Sequence, residues 1–528
     1  MKEGMVLKVK NDYNRVLKTH ERKIPIILKS LLVGLVAGII AVLYRLVLGR
    51  AEHLSQMIYT FISGNMSLVI PLFIGLGVIG TLIGILVRKY PLIGGSGIPQ
   101  VEGQLLGYFK NPWLSTLIAK FIGGAVTVLA GLSVGREGPC IQLGAAAAHG
   151  IGDKLAATRT EKKILIASGA SAGLSAAFNA PLAGVMFALE EIFRYFSPII
   201  LLATIVSAVA ADLVSSSIFG LEPIFDFIIE EKIPLENYWL ILILGALIGL
   251  SGALYNYMLI NSIFIYKKIG NWNKNLKFII PFLIAGILGL YFPIVLGGGE
   301  GIIEVLSLSK SLQWLILVLL IKFLFSMISF GSGAPGGIFF PLLVIGSLLG
   351  SVYGSIVISN LGVNPDLFYN FVVLAMAAFF TAIVRAPITG IILIIEMTGS
   401  FSSLLPLTIV SVMAYITADL VKSVPIYESL LQIQIGNGKS ERGDTDRHKK
   451  VTFETIIQHG SIFEGKQIKD MGLPYGSLVI ALRRHDAEIT PNGDTEILAE
   501  DTLVILTNLR DEAEIREAIY KSQTANHN

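Results

Sequence analysis

Gly135-Arg136-Glu137-Gly138-Pro139 and Gly337-Ile338-Phe339-Phe340-Pro341 are two copies of one motif, and they decide the fold. Each opens the pattern G-x-x-x-P-x-x-x-x-G, which ends at Gly144 in the first copy and at Gly346 in the second. The copies are 337 − 135 = 202 residues apart, and both lie in strongly apolar sequence. One copy carries a glutamate where the other has apolar residues, so we expect function to reside in that difference.

A second pair of motifs repeats in the same order. Residues 180–184 (APLAG), followed by Glu190, match residues 386–390 (APITG), followed by Glu396, at an offset of 386 − 180 = 206. Two motifs that recur at nearly the same spacing indicate an internally duplicated membrane protein whose halves meet at a shared site.

The composition excludes a soluble globular protein. Of the 528 residues, 53% are hydrophobic and only 15% are charged, whereas charged residues are about a quarter of a soluble domain. Several apolar runs are long enough to cross about 30 Å of hydrocarbon. The clearest runs are residues 24–48, 67–87, 239–259, 278–292 and 312–330. Many are interrupted by glycine and proline, and non-helical backbone at membrane depth is typical of a transport pathway.

The ends of the chain and its single cysteine narrow the possibilities further. Residues 1–23 are polar and basic, which predicts a cytoplasmic amino terminus, and the first apolar run is too long for a cleaved signal peptide. Cys140 is the only cysteine, so an internal disulfide and a cysteine-based zinc site are excluded. No basic stripe interleaved with aromatic residues occurs, so nucleic-acid binding has no support.

The chain is predicted to contain a membrane region at residues 24–436, with repeat halves at about 24–225 and 236–430. A hydrophilic, turn-rich linker at 437–450 follows it. Residues 451–521 alternate strand-like runs with turn signals, at 477–482 and 502–507 around Pro491-Asn492-Gly493-Asp494, and end in a charged helix-like segment. Residues 522–528 form a tail.

The site should bind its ion with partial charges. An anion inside a bilayer must lose water, and a full positive charge would hold it too tightly for release. Half-helices whose amino termini converge offer free backbone N–H groups and about half an elementary charge each. The three best candidates for such helix starts are residues 95–99, 135–139 and 337–341.

With these motifs the sequence resembles the CLC family of chloride channels and chloride/proton antiporters. The matching stretches, in the family's order, are GSGIPQVEG (95–103), GREGPCIQLG (135–144), AGLSAAFNAPLAGVMFALEE (172–191), SGAPGGIFFPLLVIG (332–346), RAPITGIILIIEMTG (385–399) and PIY (425–427). Residues 451–521 resemble the TrkA-C (RCK-C) regulatory domain through GKQIKDMGLP (465–474), VIALRR (479–484) and ITPNGDTEILAEDTLVIL (489–506).

The resemblance implies an all-α polytopic membrane protein of two inverted-topology repeats with broken half-helices, plus a small α+β cytoplasmic domain. It implies a homodimer in the cell membrane, with one pathway per subunit, that exchanges chloride for protons. No catalytic residue, metal or organic cofactor is implied. For residues 451–521, a regulatory domain that binds a small molecule and an inert dimerisation module both stay open.

Residue by residue, the resemblance assigns chloride binding to the hydroxyls of Ser96 and Tyr427 and to the backbone N–H groups of Ile338 and Phe339. The chemistry agrees, since hydroxyls and amides solvate a halide without adding net charge. Without the resemblance, Tyr427 could equally be an interfacial tyrosine. Serine at position 96 favours chloride, because nitrate-preferring members of the family typically have proline there and its fluoride exporters also depart from serine.

Two acids carry the proton assignment. Glu137 matches the family's gating glutamate, which competes with chloride while ionised and leaves the anion site when protonated. A salt bridge to Arg136 is disfavoured as its role, because adjacent side chains of a helix do not face each other. Glu191 matches the inner glutamate that transfers protons in the family's antiporters; alternatively, it simply faces cytosolic water. Glu102 and Glu396 are interpreted as structural partners of arginines or helix ends.

Three other functions can be weighed. Gly169-Ala170-Ser171-Ala172-Gly173 matches the G-x-S-x-G pattern of serine hydrolases, but such an elbow needs a preceding strand and a histidine partner. Small residues for helix packing explain it better, so we predict no enzyme. A passive voltage- or proton-gated chloride channel would use the same fold and anion site. A transport-inactive receptor acting through the carboxyl-terminal domain is the third alternative.

Overall fold

The computed structural model describes residues 2–528 except 157, 195, 226, 228–231, 274–275, 439–449, 459, 474–476, 485–486, 509–514, 516–518 and 520–528, and it describes residues 2–23 as backbone only. Most of the predicted linker and all of the predicted tail therefore lie outside the described residues. So does most of the helix-like segment at 511–520, of which residues 515 and 519 are described.

Where the structure describes the membrane region, its long regular elements are all helices. They are α1 (Lys2–Ser63), α2 (Val69–Lys89), α3 (Ile98–Leu106), α4 (Trp113–Leu129), α5 (Glu137–Leu155), α6 (Arg159–Phe178), α7 (Pro181–Phe187), α8 (Pro198–Phe219), α9 (Tyr238–Trp272), α10 (Leu276–Tyr291), α11 (Glu300–Val305), α12 (Leu312–Gly331), α13 (Phe339–Leu361), α14 (Phe368–Val384), α15 (Pro387–Thr398), α16 (Leu404–Leu420) and α17 (Ile426–Gly438). Among the described residues, seven of these segments are long and apolar enough to cross a membrane, and four apolar helices are shorter. The predicted apolar runs are confirmed as helices. The predicted irregularity of the spans is also confirmed, because short helices lie beside long ones.

Small residues let the central helices approach closely. Gly144 of α5 and Gly169 of α6 face each other so tightly that a Cβ on either one would overlap the carbonyl oxygen of the other. Gly173 packs in the same way on the Cys140 carbonyl. The G-x-S-x-G match therefore lies inside a helix whose glycines serve packing, as predicted, because only glycine permits this backbone approach.

The two halves of the membrane region contact each other through backbone hydrogen bonds that the repeat relates to one another. Gly135 and Gly337 form an isolated antiparallel bridge, in which each N–H donates to the other carbonyl, at 2.7 and 2.9 Å. The Gly95 N–H donates to Gly333 at 3.3 Å, and Gly297 N–H donates to Gly131 at 3.2 Å. Gly297 is the repeat counterpart of Gly95 (95 + 202 = 297), and Gly131 is the counterpart of Gly333 (333 − 202 = 131). The two hydrogen bonds are therefore equivalent under the repeat, and each joins one half to the other.

Two buried lysines extend this symmetry. Lys120 on α4 donates to the carbonyls of Ile93 and Gly95 at 2.9 and 2.6 Å. Lys322 on α12 donates to those of Val295 and Gly297 at 2.9 and 2.8 Å. Both lysines are 0% exposed, and their numbers again differ by 322 − 120 = 202. Each lysine ties a glycine-rich loop to a helix, since buried carbonyls require a donor.

The carboxyl-terminal unit is a four-stranded antiparallel sheet in the order β1-β4-β2-β3. Its strands are β1 (Lys450–Ile456), β2 (Leu478–Arg484), β3 (Ala487–Ile489) and β4 (Thr502–Asn508), so the strands predicted at 477–482 and 502–507 are confirmed. Alternate residues face one core, which includes Phe453, Leu482 and Ile505 as well as Ile515 and Ile519. Arg484 holds buried Asp501 with two bonds of 2.8 and 2.7 Å, and hydrogen bonding to Asp501 raises the pKa of Arg484.

Candidate ion pathway

The starts of α5 and α13 meet at the Gly135–Gly337 bridge. α5 begins at Glu137 and α13 begins at Phe339, and each start lies two residues after the bridging glycine. The first N–H groups of a helix have no partner within it, and they carry its positive dipole end. The repeated motif therefore brings two such ends to one place, as predicted.

Glu137 lies at this meeting point and is fully buried. A Cβ on Gly135 would overlap Oε2 of Glu137 and would lie 3.1 Å from the Phe340 N–H nitrogen. The carboxylate therefore occupies the space between the two helix starts, close to a backbone amide of the opposite repeat. This is where an anion would be held by the same amides.

The predicted hydroxyl ligands lie on two further segments. Ser96 is buried between Gly95 and Gly97, whose φ angles of 68° and 100° favour glycine, and its backbone packs against Gly138 at the start of α5. The Tyr427 ring is fully buried and contacts Phe187 edge-on, with 6.3 Å between ring centroids. Phe187 in turn contacts Phe339 at 5.9 Å.

The Tyr427 hydroxyl finds no hydrogen-bond partner among the described residues. Buried hydroxyls are nearly always hydrogen-bonded, and an exception requires an explanation. An anion is a suitable acceptor for this donor. The structure thus brings Glu137, Ser96, Ile338 and Phe339 to the helix starts, and it connects Tyr427 to them through Phe187.

Glu191 lies apart from this group. It is buried at 4% exposure in a one-turn π-helix, Ala188–Phe193, that continues α7. Such turns are rare and often mark functional sites. Arg194 follows in the left-handed region at φ 52°, and its guanidinium lies 3.5 Å from Glu191, 3.3 Å from Glu102 and 3.8 Å from Glu428. We call these four residues the Arg194 cluster. The prediction that Glu102 is the partner of an arginine is confirmed.

Arg136 organises a second cluster beside Glu137. Its Nε lies 3.8 Å from Glu137 Oε1, and its Nη1 lies 2.9 Å from Oε1 of Glu300. We call these three residues the Arg136 cluster. The expectation that Arg136 and Glu137 do not face each other was wrong, because Arg136 precedes the first residue of α5 and the helical geometry behind that rule does not yet apply.

Glu190 and Glu396 each accept hydrogen bonds from a helix start in the opposite repeat. Glu190 accepts hydrogen bonds from the N–H groups of Ile388 and Thr389 at 3.2 and 2.8 Å, at the start of α15. Glu396 accepts from Leu182 and Ala183 at 3.0 and 2.7 Å, at the start of α7. The prediction of a helix-end role for Glu396 is confirmed. Each half therefore caps a helix of the other half.

Sequence reasoning missed five charged residues. Arg194, Glu300, Glu428 and the pair of buried lysines were not identified, although the repeat offset of 202 relates Lys120 to Lys322 and could have revealed that pair. Arg194 follows its partner Glu191 by three residues, but its contacts with Glu102 and Glu428, like that of Glu300 with Arg136, join distant segments that no local pattern marks. Within the part of the chain that the structure describes, no cluster of His, Cys, Asp or Glu side chains is placed to hold a metal ion.

Known proteins resemble the chain over most of its length. Residues 79–419 match the family model described as voltage gated chloride channel, and residues 453–520 match the TrkA-C domain. The H(+)/Cl(-) exchange transporter ClcA of Vibrio cholerae serotype O1 is 35% identical over 452 residues, which is 82% of this chain and 95% of the relative. ClcA of Klebsiella pneumoniae is 33% identical over 438 residues, 81% of this chain and 93% of the relative.

Solved structures agree with the sequence relatives. The crystal structure of a slow cyanobacterial Cl-/H+ antiporter superposes with a TM-score of 0.73 and 29% identity, covering 79% of this chain and 99% of that one. A CLC-type fluoride/proton antiporter gives a TM-score of 0.62 at 25% identity, covering 76% and 97%. The chain is therefore a multi-pass membrane protein of the voltage-gated chloride channel (CLC) family that also carries a TrkA-C domain.

Proposed function

We propose that this protein is a secondary active transporter that exchanges chloride for protons. The observation that carries the proposal is the position of Glu137, a buried carboxylate in the space where two helix starts would hold an anion. The names of the relatives support it: the curated relatives are called H(+)/Cl(-) exchange transporters, and the solved neighbour of highest similarity given above is a Cl-/H+ antiporter.

Chloride binds to neutral donors in this proposal. The hydroxyls of Ser96 and Tyr427 and the N–H groups of Ile338 and Phe339 surround it, and none of them carries a formal charge. The buried Tyr427 hydroxyl without a described partner supports this role. An anion held only by dipoles binds strongly enough to enter and weakly enough to leave.

Glu137 makes anion binding and proton binding exclude each other. While it is ionised, its carboxylate is stabilised by the same helix ends that attract chloride, so it competes with the anion. A proton removes its charge and hence that attraction, and the neutral side chain leaves the site to chloride. One side chain thereby couples the two ions.

Glu191 passes protons between the cytoplasm and Glu137. Its low exposure and its location on a π-helical turn support a functional role over that of an acid facing the cytosol. A passive channel would need no second buried acid, and neither the relatives' names nor this residue favours that alternative. A transport-inactive receptor would need no anion ligands.

Orientation, assembly and regulation complete the proposal. The basic amino terminus supports a cytoplasmic location for that end. The family resemblance supports a cytoplasmic carboxyl-terminal domain and a homodimer in the cell membrane with one pathway per subunit. We propose the division into residues 1–23, 24–436, 437–450, 451–521 and 522–528, with the repeat halves as predicted. A small-molecule ligand is one role for the TrkA-C domain; an inert dimerisation module is the other.

Purified protein in liposomes tests the function. With an outward chloride gradient and no proton gradient, chloride efflux should drive proton uptake against the resulting pH difference, recorded by a pH electrode in weakly buffered medium. Chloride flux without proton movement would support the channel instead, and liposomes that release no chloride would support the receptor. Protein-free liposomes and liposomes loaded with an impermeant anion are the controls.

A further inference from the structure

The two buried glutamates of the proposed exchange mechanism share one arrangement. Each contacts an arginine, and that arginine also holds a more exposed glutamate. In the Arg136 cluster, Glu137 is 0% exposed and Glu300 is 42% exposed. In the Arg194 cluster, the Glu191 side chain is 5% exposed and the Glu428 side chain is 32% exposed. In both clusters, therefore, the same arginine connects a buried carboxylate to one that is exposed at the surface of the chain.

The clusters lie near two widely separated positions of α1. Glu52 of α1 accepts a hydrogen bond from the Gly298 N–H at 3.4 Å, two residues before Glu300. Ile26 of α1 packs against the same buried apolar cluster as Phe193, the residue before Arg194. These two points of the helix are 52 − 26 = 26 residues apart, or about 39 Å at 1.5 Å per residue. This distance exceeds the hydrocarbon thickness of about 30 Å, so the two clusters belong to opposite membrane surfaces.

The arginines keep the paired carboxylates close. Two carboxylates repel each other, and a guanidinium between them offsets that repulsion while it fixes both in a planar geometry. The other charged groups near the Arg136 cluster are Glu52, Arg45 and Lys322. Glu102 belongs to the Arg194 cluster, and Glu190 lies near it. Among the acids that form ion pairs with the two arginines, Glu300 and Glu428 have the most exposed side chains.

We propose that Glu300 and Glu428 are the groups through which the protein exchanges protons with water, on the outer and the inner surface respectively. Glu428 takes a proton from cytoplasmic water and releases it through intervening water to Glu191. On the other surface, Glu300 accepts the proton that leaves Glu137 and returns it to bulk water. Each transfer moves one proton between two carboxylates, so charge and atoms balance. This inference rests on the proposed exchange function.

Two amide substitutions test the inference. Glu428→Gln and Glu300→Gln keep the size of the side chain and its ability to accept a hydrogen bond, but they cannot carry a proton at neutral pH. We expect each to slow coupled exchange about tenfold, whatever the orientation of the protein in the liposome, because every turnover passes both ends. Glu428→Asp and Glu300→Asp should recover most of the rate, since they restore a carboxylate.

Matched controls remove other carboxylates from the same surfaces. Glu304→Gln removes an exposed acid of α11, the helix of Glu300, and Asp153→Asn breaks the ion pair of Asp153 with Lys162. Both control variants should exchange at the wild-type rate. Thermal unfolding in detergent, measured for every variant, identifies a protein that has merely lost its fold.

Several outcomes would overturn the inference while the exchange function stands. One is a wild-type rate for Glu428→Gln and Glu300→Gln. Another uses the Glu137→Ala protein, which should move chloride without protons. If adding Glu428→Gln or Glu300→Gln to that protein abolishes its chloride flux, the added substitution acts on the chloride path and not on proton transfer. If the wild-type protein itself moves chloride without protons, the proposed function fails first.

Discussion

The starts of α5 and α13 have the same backbone and different side chains. Both follow a bridging glycine, and the first residue of each helix, Glu137 or Phe339, is fully buried. Glu137 in the first copy corresponds to Phe339 in the second, since 137 + 202 = 339. In the proposed mechanism, duplication supplied an anion site made of backbone, and one carboxylate in one copy makes it responsive to protons. The comparison separates what the fold does from what a single side chain adds.

The largest effect should come from removing that carboxylate. Glu137→Gln should abolish proton coupling and leave the anion donors in place, because an amide cannot alternate between a charged and a neutral form. The measurement is proton uptake driven by chloride efflux in liposomes. Glu304→Gln is the control with the same chemical change at an exposed position. Proton pumping by Glu137→Gln protein would contradict the assigned role.

The buried lysines test whether the halves remain equivalent in structure. Lys120→Met and Lys322→Met each remove the ammonium group that donates to two buried carbonyls, although the Gly95 carbonyl keeps the Gly336 N–H at 3.0 Å as a second donor. Each substitution should lower the stability of the protein by up to about 3 kcal/mol. Thermal unfolding in detergent measures this as similar decreases in Tm. The exposed Lys89→Met is the control and should not change Tm. A large decrease for only one of the two lysines would show that the halves are held differently.

The bridging glycines should differ in their effect on exchange. In Gly135→Ala, the new methyl group would overlap Oε2 of Glu137 and lie 3.0 Å from Cβ of Phe340. In Gly337→Ala, it would meet the Gly138 nitrogen at 3.2 Å and the Gly135 oxygen at 3.3 Å. Gly135→Ala should therefore displace the gate and slow exchange about tenfold. The slowing in Gly337→Ala should be smaller; equal rates would argue against the described position of Glu137.

The smallest effects should come from the exchanged helix caps. Glu190→Gln and Glu396→Gln keep an accepting oxygen but lose the charge that favours a helix start, so each should lower stability by about 0.5 kcal/mol. Calorimetry in detergent at low and high salt measures both values. The two decreases should match, and both should shrink in high salt because salt screens the charge. A loss of stability in only one of the two variants would show that the two caps are not energetically equivalent, and that the repeat symmetry holds only for the backbone.

The sequence predicted the duplicated architecture because the repeated residues are glycine and proline, whose backbone constraints are local. It also predicted helix-end and arginine partners for Glu396 and Glu102. The roles of Arg194, Glu300 and Glu428 escaped prediction because their contacts join segments far apart in the chain, such as Arg136 and Glu300. Burial of Lys120 was equally hidden, since a lysine in an apolar run shows nothing of the carbonyls that satisfy it.

The exchanged caps of Glu190 and Glu396 have a consequence for how such a chain could have arisen. Neither half satisfies its own helix start, because the required carboxylate lies in the other half. A half-length chain with both motifs would satisfy these bonds only by pairing with a second, oppositely oriented copy of itself. The contacts that now join the two halves would then have been the subunit interface of an antiparallel dimer, fixed in place when its two genes became one.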